Sequence, residues 1–483
     1  MKISFKLLML FVLAALAFQS CDDMDDTLGV PQTLEVQNFI WKGLNLYYLW
    51  QADVPDLADD RFANQAELNT FLMNYNDPME LFNHLKVDPS TDRFSVLVSD
   101  YTVLENLFQG ITKNNGVDFG LRYKPGSTTE VFGWVRYIIP NSDAADKDIQ
   151  RGDIFYAING TPLTIDNYQT LLNNDTYTLN LAEFDNGNIT PNGASVTLTK
   201  TQLTENPVLY TDVIDSGSHK VAYLVYNGFT ADFDAQLNAA FGTFQAAGAT
   251  ELVLDLRYNS GGSVQTATRL ASMITGQFNG QLFAKQQWNS KVQAFLEANN
   301  ASQLVNNFTN SIENTPINSL SLTKVYILTT ASTASASELV INGLKPYIDV
   351  VQIGDVTTGK NVGSITLYDS PTFGKEDVNP RHKYAMQPIV IKTINKDGFG
   401  DYQNGLQPTV LLQEDMANLG QLGNTNEPLL STALGLITGS GRMRFENPKN
   451  FTKEVDNTKS LQRFGTEMYL DEAPAGINNI SGF

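Results

Sequence analysis

The sequence predicts a multidomain α/β protein, and three changes of texture along the chain carry that expectation. From about Gln32 to Leu107, apolar side chains recur at three- and four-residue steps, the period of helices. From about Gly110 to Lys200, short alternating or apolar runs are broken by KPGSTT, DNGN and PNG, which punctuate strands with turns. From about Val208 to Gly439, strand-like runs alternate with helical patterns. At that length the alternation implies a mostly parallel sheet covered on both faces.

Each element follows from its own stretch. VQNFIWKGLNLYYLW, QAELNTFLMNYN and PMELFNHL predict helices, and DRFSVLVSD a strand. The aromatic stripe from Phe39 to Trp50 suits helix packing. VDFGLRY, EVFGWVRYII, GDIFYAING, TYTLNLAEF and ASVTLTK predict strands, with IDNYQTLLN the one helix among them. KVAYLVYNGF reads as a strand and FDAQLNAAFGTFQAAG as a helix closed by glycine. ELVLDLRYNSGGSVQTATRLASMI is strand, glycine turn and helix; VYILTT is a strand, ASELVINGLK a helix, and DVVQIGD the next strand. The last forty or so residues are polar and carry no pattern that assigns an element.

The 483 residues are 42% hydrophobic and 17% charged, a globular composition with length for two or three domains. The net charge of −20, with no basic cluster, argues against a nucleic-acid partner, because phosphate binding needs clustered Lys and Arg. His, Cys and Asp/Glu show no ligand spacing, so neither metal nor cofactor is expected. At the N-terminus, Lys2 and Lys6 precede LLMLFVLAALAF, an apolar run too short to span a bilayer, and then Cys21, the only cysteine. This resembles a bacterial lipoprotein signal, which implies acylation at Cys21, removal of residues 1–20 and a membrane-anchored place in the cell envelope, at the outer membrane, facing the periplasm or the surface. The acidic DDMDD that follows, within 21–31, reads as a solvated tether or a surface-export tag.

Three stretches bear on chemistry. In VYILTTASTASASELVING the serines fall on a strand-to-helix turn, which lifts a side chain out of a sheet beside helix N-terminal amides that can hold an oxyanion. Taken alone, Ser332, Ser335 and Ser337 read first as residues that cap the helix or let backbones approach. A serine nucleophile needs a base, and His84, His219 and His382 lie in no recognisable triad context. A desolvated lysine is the other solution, and DVVQIGDVTTGK places Lys360 just beyond an apolar strand. DLRYNSGG ends another strand in glycines, whose amides can face a substrate carbonyl, but it lacks a phosphate-loop pattern.

Together DLRYNSGG, TASASE and TTGK resemble, in order, the hallmark runs of the C-terminal processing peptidases, or tail-specific proteases. The likeness extends to NGF after the first strand, YQNGLQPTV and NEPLLSTALGLI. It implies a crotonase-like α/β serine protease domain over 204–440, with Ser335 as nucleophile and Lys360, twenty-five positions later, as base. An oxyanion hole is implied at Ala336 with Gly261 or Gly262. Lys375, in PTFGK, copies the commonest spelling of the lysine motif but lies forty positions on and leads into charged sequence, so Lys360 is preferred. Where the family often has a glutamine four residues after the lysine this chain has Ser364, a candidate to orient it. Its usual aspartate after the late proline is Thr409.

IPNSDAADKDIQRGDIFYAINGTPLT resembles a PDZ domain, which implies a PDZ-like β-rich domain over 109–203 that adds an extended peptide to the edge formed by Phe119, Gly120, Leu121 and Arg122, with IDNYQTLLN opposite. The loop lacks the tight glycine pair of many such domains. A helical N-terminal domain over 32–108 and a C-terminal extension over 441–483 complete the expected organisation. The expected activity is serine endopeptidase cleavage of unfolded protein or peptide tails. The alternative is a catalytically inactive, peptide-binding surface lipoprotein on a protease scaffold.

Overall fold

The computed structural model describes residues 29–477 except 186, 440–446, 448–451, 453, 463–464 and 466. Cys21 and the signal-like segment lie outside the described residues. Among those described, no helix is long and apolar enough to cross a membrane.

Helices α1 (Glu35–Tyr47), α2 (Gln65–Leu72), α3 (Pro78–His84) and α4 (Tyr101–Phe108) form the expected helical start. Asn64, Asp77 and Asp100 cap the last three through side-chain oxygens on second- or third-residue amides. These helices have no core of their own. Trp41, Leu44 and Leu72 share one apolar cluster with Val292, Ile365, Met386 and Ile391 from the far part of the chain.

A β-rich unit follows. Strands β1 (Val117–Tyr123), β2 (Val131–Ile138), β3 (Ile154–Ile158), β4 (Thr176–Asp185) and β5 (Asn188–Thr199) lie side by side in chain order, all antiparallel. The short helix α5 (Tyr168–Leu172) packs on them through Tyr168 and Leu172.

The α/β unit opens with β6 (Val208–Ser216) and β7 (His219–Tyr226), then α6 (Asp234–Ala246), β8 (Glu251–Asp255), β9 (Gly262–Ser263) and α7 (Val264–Thr275). After β10 (Leu282–Gln287) and β11 (Val305–Asn307) come β12 (Lys324–Thr329), α8 (Ala336–Leu344), β13 (Asp349–Gly354), β14 (Val362–Ser364), β15 (Ile389–Asn395), β16 (Val410–Leu411) and α9 (Pro428–Thr438). One sheet runs β6-β7-β8-β12-β13-β16, parallel except for its first pair. Its β-branched strands are covered by α6, α7 and α8 on one face and α9 on the other, as the strand–helix alternation implied.

The polar C-terminal stretch is not featureless. It forms β17 (Glu454–Asn457), a turn of helix α10 (Thr458–Leu461) and β18 (Met468–Tyr469). β17 joins the open edge of β1, and β18 sits between β9 and β14 in a second, mixed sheet ordered β9-β18-β14-β15-β10-β11.

Candidate active site

The site lies where the carboxyl ends of β8, β12 and β13 meet. In the turn after β8, the Asn259 side chain fixes the glycines: its Oδ1 accepts the Gly261 N–H at 2.9 Å, and its Nδ2 donates to the Tyr226 carbonyl at 2.9 Å. Gly261 has φ +116°, and a Cβ there would stand 2.6 Å from the Ser335 Cβ and 3.1 Å from the Ala336 nitrogen. Only glycine allows this turn to lie against the serine.

After β12 the chain turns through Thr330–Ala334. Thr333 Oγ1 donates to the Leu256 carbonyl at 2.8 Å, and the Ala334 and Ser337 groups both bond to the Asn259 carbonyl at 3.1 Å. Ser335 stands just ahead of α8 with φ +65° and ψ −117°, a left-handed conformation that costs a non-glycine residue free energy. It is fully buried, and its Oγ faces the Glu338 N–H in a capping-box arrangement but makes no hydrogen bond of full geometry among the described residues. Ser337 bonds back to the β8 turn. Ser332 is no cap: its hydroxyl accepts from Arg136 at 2.8 Å and donates to Glu454 at 3.1 Å.

Lys360 is fully buried in the loop after β13. Its ammonium pairs with Glu467 at 2.8 Å and lies 4.3 Å from the centre of the Phe94 ring. Burial lowers its proton affinity, the Glu467 charge opposes that, and the net shift is downward. Lys375 is different: its side chain is 68% exposed and pairs with Glu105 at 2.9 Å.

Glu338 stitches the two loops together. One carboxylate oxygen accepts the Ser335 and Lys360 N–H groups, each at 2.8 Å, so those nitrogens are at most twice that far apart. The other accepts the Gly359 N–H at 2.7 Å and the Thr357 hydroxyl. Burial raises the pKa of Glu338, against these four donors.

The Ser364 hydroxyl donates to the Met468 carbonyl at 3.2 Å, because β18 passes alongside it, and a carboxylate that does reach Lys360 is Glu467. Phe119 to Arg122 lie on β1 and are buried, because the outer side of that strand is paired with β17. Thr409 Oγ1 accepts the Gln352 N–H at 3.2 Å. Among the described residues, no group of His, Cys, Asp and Glu could hold a metal ion.

Residues 220–404 match the model for Peptidase family S41, and residues 35–96 that for the Peptidase S41 N-terminal domain. The chain belongs to peptidase family S41. This S41 chain is 27% identical to a protein described as an S41 protease from Bacteroides fragilis NCTC 9343, over 84% of this chain and 98% of that one, with a TM-score of 0.65. A photosystem II D1 C-terminal processing protease is 19% identical over 83% of this chain and 98% of its own, with a TM-score of 0.48. Mature CPAF is 12% identical over 85% and 99%, with a TM-score of 0.44. No curated protein matches the chain.

Two residues of this candidate site escaped the sequence reading for different reasons. Glu338 had a signal, an acid three residues after a serine at a helix start, which is the capping-box pattern. Glu467 had none, since nothing in QRFGTEMYL ties it to a lysine more than a hundred positions earlier.

Proposed function

We propose that this chain is a serine endopeptidase that cuts unfolded protein tails, with Ser335 as nucleophile and Lys360 as its base. The observation that carries this reading is the Glu338 carboxylate, which binds the backbone N–H of both residues and so holds the chain at a buried serine close to the chain at a buried lysine. Neutral Lys360 would take the Ser335 proton as Oγ attacks the scissile carbonyl, then give it to the leaving amine. A water would repeat the sequence on the acyl-enzyme. The oxyanion would be met by the Ala336 N–H and by Gly262, since the Gly261 N–H is bound to Asn259.

In the same reading the α/β unit is crotonase-like and the β-rich unit is a PDZ-like module that presents substrate by pairing it to β1. Cys21 is the site of a lipid anchor that holds the chain at the outer membrane. The resting ion pair between Lys360 and Glu467 favours the second reading, a peptide binder without turnover, until that pair is broken. Incubation with an unstructured protein decides between them. Wild type and Lys375→Ala should cleave it, whereas Ser335→Ala and Lys360→Ala should not. Cleavage by Ser335→Ala would refute the mechanism.

A further inference from the structure

Described residues after α9 touch the β1 edge, the serine turn, the glycine turn and Lys360. β17 completes the β1 edge as an antiparallel strand, with Glu454 opposite Arg122, Asp456 opposite Leu121 and Asn457 opposite Gly120. Thr458 Oγ1 accepts the Phe119 N–H at 2.8 Å, and Val455 and Leu461 pack on the core of the β-rich unit. The Asp456 carboxylate accepts the Tyr168 hydroxyl from α5 at 2.8 Å. The Glu454 carboxylate pairs with Arg136 at 2.7 Å and accepts the Ser332 hydroxyl at 3.1 Å. Beyond the strand, Lys459 donates to the carbonyls of Asn227 and Tyr258, at the mouth of the glycine turn, before Glu467 reaches Lys360.

We propose that the β1 edge is a docking surface for an extended acidic peptide, and that its resident occupant is the chain's own 454–461 segment, which a substrate strand must displace. The consequence for catalysis rests on the Ser335–Lys360 reading; the docking does not. A sheet edge offers one row of amides and carbonyls, so tail and substrate cannot pair with β1 together. The preference for acids follows from Arg136, whose buried guanidinium holds Glu454 at 2.7 Å, closer than its other carboxylate, Asp118, at 3.9 Å, and from the Tyr168 hydroxyl at the alternate position. Attachment to the same chain gives the tail a high effective concentration, so a short strand suffices to hold the edge. Occupancy is also felt at the serine turn, because Glu454 bonds Ser332, three residues before Ser335.

The test uses a fluorescein-labelled peptide of residues 452–462 and the full chain carrying Ser335→Ala, so that nothing is cut. Adding Val455→Asp, or the milder Asp456→Asn, should loosen the tail and tighten peptide binding at least tenfold by fluorescence anisotropy. A peptide with Gln and Asn at the positions of Glu454 and Asp456 should bind at least tenfold more weakly. In the otherwise wild-type chain, Val455→Asp should raise cleavage of an unstructured protein at least fivefold. Equal peptide binding with and without the tail substitutions, or no binding to either, would overturn the proposal. If the peptide binds as expected but no variant cleaves, the docking stands and the peptidase reading falls. If cleavage depends on Ser335 while peptide binding ignores the tail, the reverse holds.

Discussion

Lys360 is under two opposed pressures. Burial favours the neutral amine, and Glu467 favours the ammonium; Asp92 adds to the second and Arg93 to the first, with the Phe94 ring against the nitrogen. The balance lies below the ordinary lysine value of 10.5. If Lys360 is the base, kcat/KM must rise with pH through an inflection below that value. Glu467→Gln removes a charge that holds the proton on, so the inflection should move to lower pH and the rate at pH 7 should increase. Lys360→Arg keeps the cation but cannot give up its proton near neutrality, and should cost about 10²–10⁴-fold in kcat. A pH–rate profile that is flat from neutral to alkaline pH, or a Glu467→Gln chain with an unmoved inflection, would exclude this role. Gly261 makes a second prediction at this scale. Gly261→Ala forces a left-handed alanine with its Cβ against Ser335. It should lower kcat by about 10²-fold, the loss expected when reacting groups shift by about 1 Å, with binding of the labelled 452–462 peptide unchanged.

At the scale of elements, the loop before α8 and the loop after β13 act as one piece because Glu338 accepts donors from both. Glu338→Ala leaves the Ser335, Gly359 and Lys360 N–H groups without an acceptor in a buried place. Each such orphan costs about 1–3 kcal/mol, so the variant should melt earlier as well as lose activity. Glu338→Gln keeps one carbonyl acceptor and should recover part of both. A Gln variant no better than Ala would mean that the carboxylate does not hold the loops. The same elements show what the sequence could reveal. β7, β8, β12 and β13 are apolar runs closed by turn signals, and α6, α7 and α8 carry their own apolar faces, so local pattern and final fold agree. Ser335, Lys360 and the glycine turn stood out because the chemistry proposed for them demands particular residues at strand ends, and the structure does place them at the ends of β12, β13 and β8. β17 and β18 were not. EVDN is polar and becomes a strand only because β1 offers it an edge, and Met468–Tyr469 is too short to show a period. Register against a distant strand leaves no local mark.

Across the whole molecule, the units are joined by buried ion networks as much as by shared apolar cores. Arg151, in the loop before β3, reaches Glu414 at 2.8 Å, and Arg257, just past β8, reaches the same carboxylate at 3.1 Å. Arg257 also holds Asp255 at 2.6 Å and Glu427, at the start of α9, at 2.7 Å, while the Tyr258 hydroxyl donates to Glu414 at 2.6 Å. Glu414 thus links the β-rich unit, the glycine turn and the helix on the far face of the sheet. Burial alone would raise its pKa, but the charges of Arg151 and Arg257 and the Tyr258 bond hold it down to about 2. A carboxylate with a depressed folded pKa stabilises the fold at every pH above its unfolded value near 4.5, and that contribution fades as pH falls toward 2. At one pKa unit per 1.4 kcal/mol it is worth on the order of 3 kcal/mol at neutral pH. Glu414→Gln removes it and leaves Arg151 buried without its partner charge, so the variant should be less stable at pH 7 by roughly 3–5 kcal/mol. Its midpoint in urea should also change less between pH 5 and pH 3 than that of wild type, because the titrating group is gone. Parallel pH dependences for the two chains, followed by tryptophan fluorescence, would show that the acid lability of the fold originates elsewhere.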